Sequence, residues 1–383
     1  MVGSDGTHHA PRRKRLLLAG GGTAGHVNPL LAILERLEAR DHRLKPLWLG
    51  SERIESTLVP AAGVPFQRID IRFSYRSPTP NNWGYYREHI LPILLGRPFR
   101  QALHAVDGFH PDLVLASGGY VSAPAVWAAL HRGIPVALLQ LDDPPGLVNS
   151  HFADRAWRVL CSTPPVVRQF AGRCAVDKLR VVGYPALTPR RGAREVFREY
   201  GLDEGRRLLV TVGGSLGAGA IHRATLAFME RTVAWPRARW LQLAVLHVGG
   251  ERSELLTQAL ERKRFGASAV QYVHTGYLTD PMGVLMAADF YFGRCGAATT
   301  GELLAAGLPS LLMPDPQHAD RQQYGNAQAL AAVGQGEVLE EASPDQGSAL
   351  MDWLLRVWNH ERTPPPSPPA ADLAAEELLE AWA

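Results

Sequence analysis

The chain has 383 residues, 46% hydrophobic and 20% charged, which excludes disordered and fibrous classes and allows two domains at roughly 150 residues each. Forty Lys and Arg against thirty-seven Asp and Glu leave a net charge of +3, too mild for wholesale nucleic-acid binding. The three cysteines, Cys161, Cys174 and Cys295, form no C-x-x-C pair and point to a reducing compartment rather than a disulfide framework, and no apolar run reaches the roughly 18 residues that span a bilayer.

Residues 1–14 read as a flexible basic tail, and the apolar stretch Leu16 to Leu18 is too short for a signal peptide. LLLAG (16–20) predicts a buried strand, GGGTAGH a glycine loop, and Asn28-Pro29 the start of a helix whose apolar face is Leu30, Ile33, Leu34 and Leu37. PLWLG (46–50), LVLAS (113–117) and VALLQL (136–141) are further short apolar runs, separated by helical patterns. This alternation is the pattern of a parallel sheet with crossover helices. GYPALTPRRGAR (183–194), with prolines and charges, reads as a linker. The pattern then restarts: LLVTVGG (208–214) runs into the loop GGSLGAG, a helix begins near Ile221, and LAVLHVGG (243–250) and VQYVHTGYL (270–278) follow as strands. The segment from Ala288 to Pro316 reads strand, loop, helix, strand, with Gly307 and Pro309 as a helix stop. TPPPSPPA (363–370) is a stiff spacer before a short amphipathic helix that docks back.

Gly20-x-Gly22-x-x-Gly25 has dinucleotide-loop spacing, and Glu52 follows the second strand where a ribose-binding acid would stand. A nicotinamide or flavin site and a tight structural turn are both open for this motif. His26 stands directly after the loop, at the mouth of the sheet, where it can serve as a general base or merely cap local carbonyls. The loop at Gly213 to Gly217, around Ser215, repeats the device and implies a cleft between two domains. Gly296-Ala297-Ala298-Thr299-Thr300 leads into a helix whose N–H groups can hold a diphosphate, with Glu302 within reach of a ribose diol. Gln317, His318, Asp320, Arg321, Gln322, Gln323 and Asn326 crowd one loop and helix start, and amides suit sugar hydroxyls. No D-x-D, H-E-x-x-H or Cys/His cluster occurs, so neither a metal nor another cofactor is expected; Asp142-Asp143 before Pro144 and Pro145 reads as a turn. Trp83, Tyr85, Ile90, Leu91, Ile93, Leu94, Leu95 and Phe99 are interleaved with Arg72, Arg76, Arg87, Arg97 and Arg100. That mixture suits either an anionic membrane surface or a buried helix with a basic rim.

Five stretches together resemble the MurG family of N-acetylglucosaminyltransferases: GGTAGHVNPLLA (21–32), SGGYVSAPAVWAA (117–129), PGLVNS (145–150), GGSLGA (213–218) and the long run from Gly296 to Leu330 with its DRQQY core. The resemblance implies an α/β fold of GT-B architecture, with two Rossmann-like domains of doubly wound parallel sheet facing a cleft. Residues 15–187 would bind the acceptor, residues 188–362 the UDP sugar, and residues 363–383 would be the spacer and returning helix. It implies transfer of N-acetylglucosamine from its UDP sugar to lipid I, making lipid II, by a cytoplasmic enzyme peripheral to the inner face of the plasma membrane. Carried over to this chain, Gly22, Thr23, Gly25 and His26 fall in the catalytic glycine loop, with Gly22 also facing the acceptor. Gly118, Gly119, Tyr120, Ser122, Asp142 and Asn149 fall on the acceptor side. Ser215, Gly217, Leu278, Ala297, Thr299, Glu302, Gln322, Gln323 and Asn326 fall on the donor side, with Leu278 reading the uracil through its backbone.

The chain departs from the family pattern in three places. Leu139-Gln140-Leu141-Asp142 replaces His-Glu-Gln-Asn, Leu187 replaces a phosphate-side arginine, and Leu216 replaces a glutamine. The implied reaction is a metal-independent, inverting displacement by an acceptor hydroxyl, with a base near His26, itself a candidate base or acceptor-site residue, and with the helix after Gly296 and the Ser215 loop receiving the leaving diphosphate. The alternatives are a related transferase acting on another lipid or metabolite, a non-catalytic UDP-sugar-binding homologue and, more distantly, a dehydrogenase.

Overall fold

Short apolar runs, wholly buried in the central strands, form two separate parallel sheets. In the computed structural model the described residues are 13–71, 93, 95–214, 217–235, 238, 240–250, 265, 269–317 and 321–382. The tail expected over residues 1–14 lies outside them, apart from Arg13 and Lys14.

The first half runs β1 (Arg15–Ala19), α1 (Ala24–Arg40), β2 (Lys45–Gly50), α2 (Glu55–Ala61), β3 (Phe66–Arg68), α3 (Arg97–Phe109), β4 (Leu113–Ala116), α4 (Gly119–His131), β5 (Val136–Gln140), α5 (Leu147–Phe152), β6 (Arg158–Cys161), α6 (Pro164–Gln169) and β7 (Leu179–Val181). Its seven strands lie in the order β3-β2-β1-β4-β5-β6-β7, and every recorded pairing is parallel. Parallel strands covered on both faces read as continuous apolar runs, and β1 shows why. Leu16 and Leu18 pack with Leu30, Ile33, Leu34 and Leu37 of α1, while Leu17 and Ala19 pack with residues of α3 and α4 on the opposite face. Leu16, Leu17 and Leu18 are fully buried, and burying such a side chain contributes roughly 1.5–3 kcal/mol.

The second half runs α7 (Ala193–Tyr200), β8 (Arg207–Val212), α8 (Gly219–Ala234), β9 (Leu243–Val248), β10 (Gln271–Thr275), α9 (Pro281–Ala287), β11 (Phe290–Gly293), α10 (Ala297–Ala306), β12 (Ser310–Leu312), α11 (Gln322–Ala332), β13 (Gly336–Val338), α12 (Gln346–Val357) and α13 (Ala370–Leu379). Six strands pair, all in parallel, in the order β10-β9-β8-β11-β12-β13. α10 stops at Gly307, whose φ of 65° is the left-handed cap that the Gly307/Pro309 signal predicts. The final helix α13 returns to the first half. Ala374, Ala375 and Leu378 are buried in the α1 cluster, Arg40 pairs with Asp372 at 2.8 Å, and Arg158 pairs with Glu380 at 3.0 Å. Among the described residues no helix is long and apolar enough to cross a membrane.

One boundary differs from the sequence expectation in a way that matters for the site. α1 starts at Ala24, not at Asn28-Pro29, so His26 lies inside the first turn rather than ahead of it. Extended Thr23 is the N-cap, and His26 N already donates to Thr23 O at 3.1 Å. Pro29 is carried in the second turn, where its missing N–H costs only the bond to the Gly25 carbonyl.

Each sheet reverses its strand order once, between β1 and β4 in the first and between β8 and β11 in the second. Ligands of open α/β sheets bind outside the strand C-termini at such switch points, because the helices on either side diverge there. The glycine loops after β1 and β4 flank the first switch point, and those after β8 and β11 flank the second.

Candidate active site

At the first switch point the glycine loop after β1 meets the glycine turn after β4. His26 Nδ1 lies 3.1 Å from the Ser117 carbonyl oxygen, and the Ser117 hydroxyl donates back to His26 O at 2.7 Å. A carbonyl can only accept, so Nδ1 carries the proton and Nε2 of the neutral ring presents a lone pair. Nε2 lies over Gly119: a Cβ there would stand 3.2 Å from it, and Gly119 holds a φ of 71° that other residues resist. Gly25 lies between the exposed Thr23 and His26 in the first turn of α1. Tyr120 leans over Gly22, and its hydroxyl accepts a bond from Arg53 at 3.0 Å.

The other acceptor-side residues divide. Ser122 is fully buried, with its hydroxyl bonded to the carbonyl oxygens of Gly118 and Gly119. Asn149, 2% exposed, donates to Leu139 O and to Gln140 Oε1 beneath the Gly118 turn. Both side chains shape the turn rather than face the cleft. Asp142 points the other way and accepts from Asn326 Nδ2 of the second half at 3.3 Å.

At the second switch point a Cβ on Gly217 would overlap the Gly249 carbonyl, so this loop can pack against the end of β9 only as glycine. Ser215 lies outside the described residues, as do His318 and Asp320. α10 begins at Gly296 with no side-chain cap, so its first N–H groups remain available to an anion. Ala297 is buried at that start and Thr299 is half-exposed. Leu278 is buried just beyond β10. Gln323 Oε1 accepts from Asp315 N at 3.0 Å, and Gln322 Nε2 donates to Pro144 O of the first half at 3.3 Å. Asn326 is saturated, donating to Asp142 and to Cys295 O and accepting from the Tyr184 hydroxyl.

Glu302 is the most perturbed carboxyl of the site. Burial pushes it up to about 7; the Asp280 carboxylate adds to the rise, and a hydrogen bond with the Asn28 side chain opposes it. Asn28 stands two residues after His26 on α1, and α1 packs against α10. The contact therefore joins the two switch points in one cleft. Glu52, the alternative ribose acid, is instead paired with Arg68 at 2.8 Å.

Two features escape sequence reading. Glu55 reaches the glycine loop from α2, and His222, His247 and His274 cluster beside the second sheet with ring centroids 5.1 Å apart for the pairs 222/247 and 247/274. Burial, reinforced by the neighbouring His274 and His222, pushes His247 down to about 3. The β9/β10 register places His247 opposite His274, and the packing of α8 on the sheet brings His222 onto His247.

Comparison with known proteins gives the family. The glycosyltransferase family 28 N-terminal domain matches residues 16–161, and the family 28 C-terminal domain matches residues 207–378. Two curated relatives bear the name UDP-N-acetylglucosamine–N-acetylmuramyl-(pentapeptide) pyrophosphoryl-undecaprenol N-acetylglucosamine transferase. The one from Desulforamulus reducens is 30% identical over 344 residues, covering 86% of each chain. The one from Moorella thermoacetica is 31% identical over 379 residues, covering 96% of each. The crystal structure of Acinetobacter baumannii MurG superposes with a TM-score of 0.61 at 22% identity, over 96% of this chain and 99% of that one. With both family domains matched in order, and with such relatives along most of its length, the chain belongs to glycosyltransferase family 28 and, within it, to the MurG family.

Proposed function

We propose that the protein transfers N-acetylglucosamine from UDP-N-acetylglucosamine to lipid I, with inversion and without a metal. The observation that carries the reading is the Asn28–Glu302 contact, which sets a base-type histidine and an uncapped helix N-terminus across one cleft. His26 Nε2 takes the proton of the acceptor hydroxyl, whose oxygen attacks the anomeric carbon as the bond to the diphosphate breaks. The charge that develops on UDP is met by the N–H groups of Ala297, Ala298 and Thr299 at the start of α10, so electrostatic stabilisation comes from preorganised backbone. Glu302 accepts from the ribose hydroxyls, displacing Asn28. Gln322 and Asn326 exchange their contacts with the first half for sugar hydroxyls, Gln323 gives up Asp315 N for another, and Asp142 lies close enough to share in that exchange.

The acceptor is lipid-borne on this reading, and the enzyme is peripheral to an anionic cytoplasmic membrane face. Of the apolar and basic stretch over 83–100, residues 83–92 and Leu94 lie outside the described residues. Leu95 is 65% exposed, while Ile93 is buried and Arg97 pairs with Asp70 at 2.8 Å.

UDP release from UDP-N-acetylglucosamine tests the reaction. It is expected with a lipid I analogue in anionic vesicles and not with vesicles alone. The UDP sugar should also raise the melting temperature, by a stabilisation of about 2.7 kcal/mol at roughly 100 times its dissociation constant, whereas NAD should not. Release with no acceptor tried, or stabilisation by NAD alone, would overturn the reading.

Leu187 gives a second test. It is half-buried against the same apolar cluster as Ala297 at the start of α10, and the nearby Arg191 is committed to Glu199 and Thr279. The resemblance places residue 187 at the donor phosphates, and on that reading Leu187→Arg adds a cation there and UDP should bind about fivefold more tightly, the equivalent of roughly 1 kcal/mol. Unchanged UDP affinity would place residue 187 away from the phosphates.

A further inference from the structure

Glu55, the first residue of α2, is fully buried, yet it belongs to neither switch-point loop. Its carboxylate accepts from Gly22 N at 2.8 Å, from Ser51 N at 2.9 Å and from the Ser51 hydroxyl. The backbone is shaped around it: a Cβ on Gly21 would overlap the carboxyl, and one on Gly50 would stand 2.7 Å from Glu55 Cγ. The end of β2 and the loop after β1 are thereby tied together under the residues that lead into His26. The Gly22 N–H is turned toward the carboxylate, and Gly22 holds a φ of 88°, so the bond fixes where the chain turns into α1.

We infer that Glu55 is a positioning residue for transfer: its buried carboxylate holds Gly22, and through the turn at Thr23 it sets the start of α1 and the direction of His26. The inference rests on the proposed role of His26 as base. Three backbone and hydroxyl donors converge on this carboxylate, so an amide in its place turns an NH2 group against at least one of them. An aspartate keeps the charge but is one methylene shorter, and cannot span Ser51 and Gly22 together.

The test uses Glu55→Gln, Glu55→Asp and Gly21→Ala in the full chain, with His26→Ala measured alongside. Misplacement of a catalytic group by about 1 Å can cost 10²-fold, so both Glu55 variants should lose kcat by roughly that factor. The donor KM and the UDP affinity should stay within about twofold, because the donor site lies on the other half of the cleft. Gly21→Ala, which displaces the same carboxyl from above, should reproduce the kcat loss. Should Glu55→Gln lose cooperative melting, Glu55→Asp still decides the matter, since a carboxylate needed only to anchor the β2–α2 turn at Ser51 would be served by it and kcat would be kept. Parent-like kcat in Glu55→Asp, or UDP affinity falling in step with kcat, overturns the positioning role while His26→Ala remains impaired. Parent-like turnover in His26→Ala overturns the base assignment itself, and the positioning role with it.

Discussion

Replacing His26 with alanine lowers the rate of transfer by roughly 10²–10⁴-fold and leaves the affinity for the UDP sugar nearly intact. The expectation comes from the hydrogen bonds of the ring. The Ser117 carbonyl fixes the proton on Nδ1, and Gly119 leaves room for Nε2 at the mouth of the first switch point, away from the loops that face the donor. A group acting on the acceptor proton contributes to kcat, whereas one holding the donor ground state contributes to KM. Steady-state rates at saturating donor, together with a UDP titration of the variant, separate the two. A collapse of UDP affinity with turnover preserved would make His26 a phosphate-side or structural residue.

Glu302→Gln stabilises the ligand-free protein, and the gain grows with pH. The folded-state carboxyl holds its proton up to about 7 because it is buried, against 4.5 in the ordinary state. A raised carboxyl favours the folded state fully below 4.5, and that advantage is lost as pH rises through 7, because ionisation must then be suppressed inside the protein. At about 1.4 kcal/mol per pH unit the gap is worth roughly 3 kcal/mol. A glutamine never ionises and keeps an acceptor for Asn28. The melting temperatures of variant and parent should therefore nearly coincide at pH 4.5 and diverge up to pH 8. The depressed His247 acts in the opposite direction, weakening the fold as pH falls from 6.5 toward 3, but it is common to both proteins and cancels in the difference. A melting difference that does not change with pH would show that Glu302 ionises normally. The same variant should raise the donor KM, since one ribose-facing oxygen is lost.

The amino-acid sequence by itself determined the two tandem α/β alternations and their most apolar strands. Runs such as LLLAG are apolar at every position and LLVTVGG at all but Thr211, and only a strand covered on both faces buries such runs. Leu30, Ile33, Leu34 and Leu37 share one helical face for the same reason, and all four are buried. The two glycine loops were equally legible as places of close backbone approach, and Gln322, Gln323 and Asn326 as a polar cluster at one helix start, because glycine and amide side chains carry those signals locally. What the sequence could not express is anything that depends on distance along the chain. Pro29 marks a helix start by its own chemistry, yet tertiary packing of α1 extends the helix back to Ala24 and takes His26 into its first turn. Ser122 and Asn149 sit in a motif that faces the cleft, but the Ser122 hydroxyl and the Asn149 Nδ2 make their hydrogen bonds beneath it. Glu55 lies 33 residues from Gly22, and Glu302 far from Asn28; only strand order and helix packing bring each pair together. The tertiary structure alone decided these contacts, because a buried carboxylate is positioned by the donors that surround it, and those donors come from separate strands and helices.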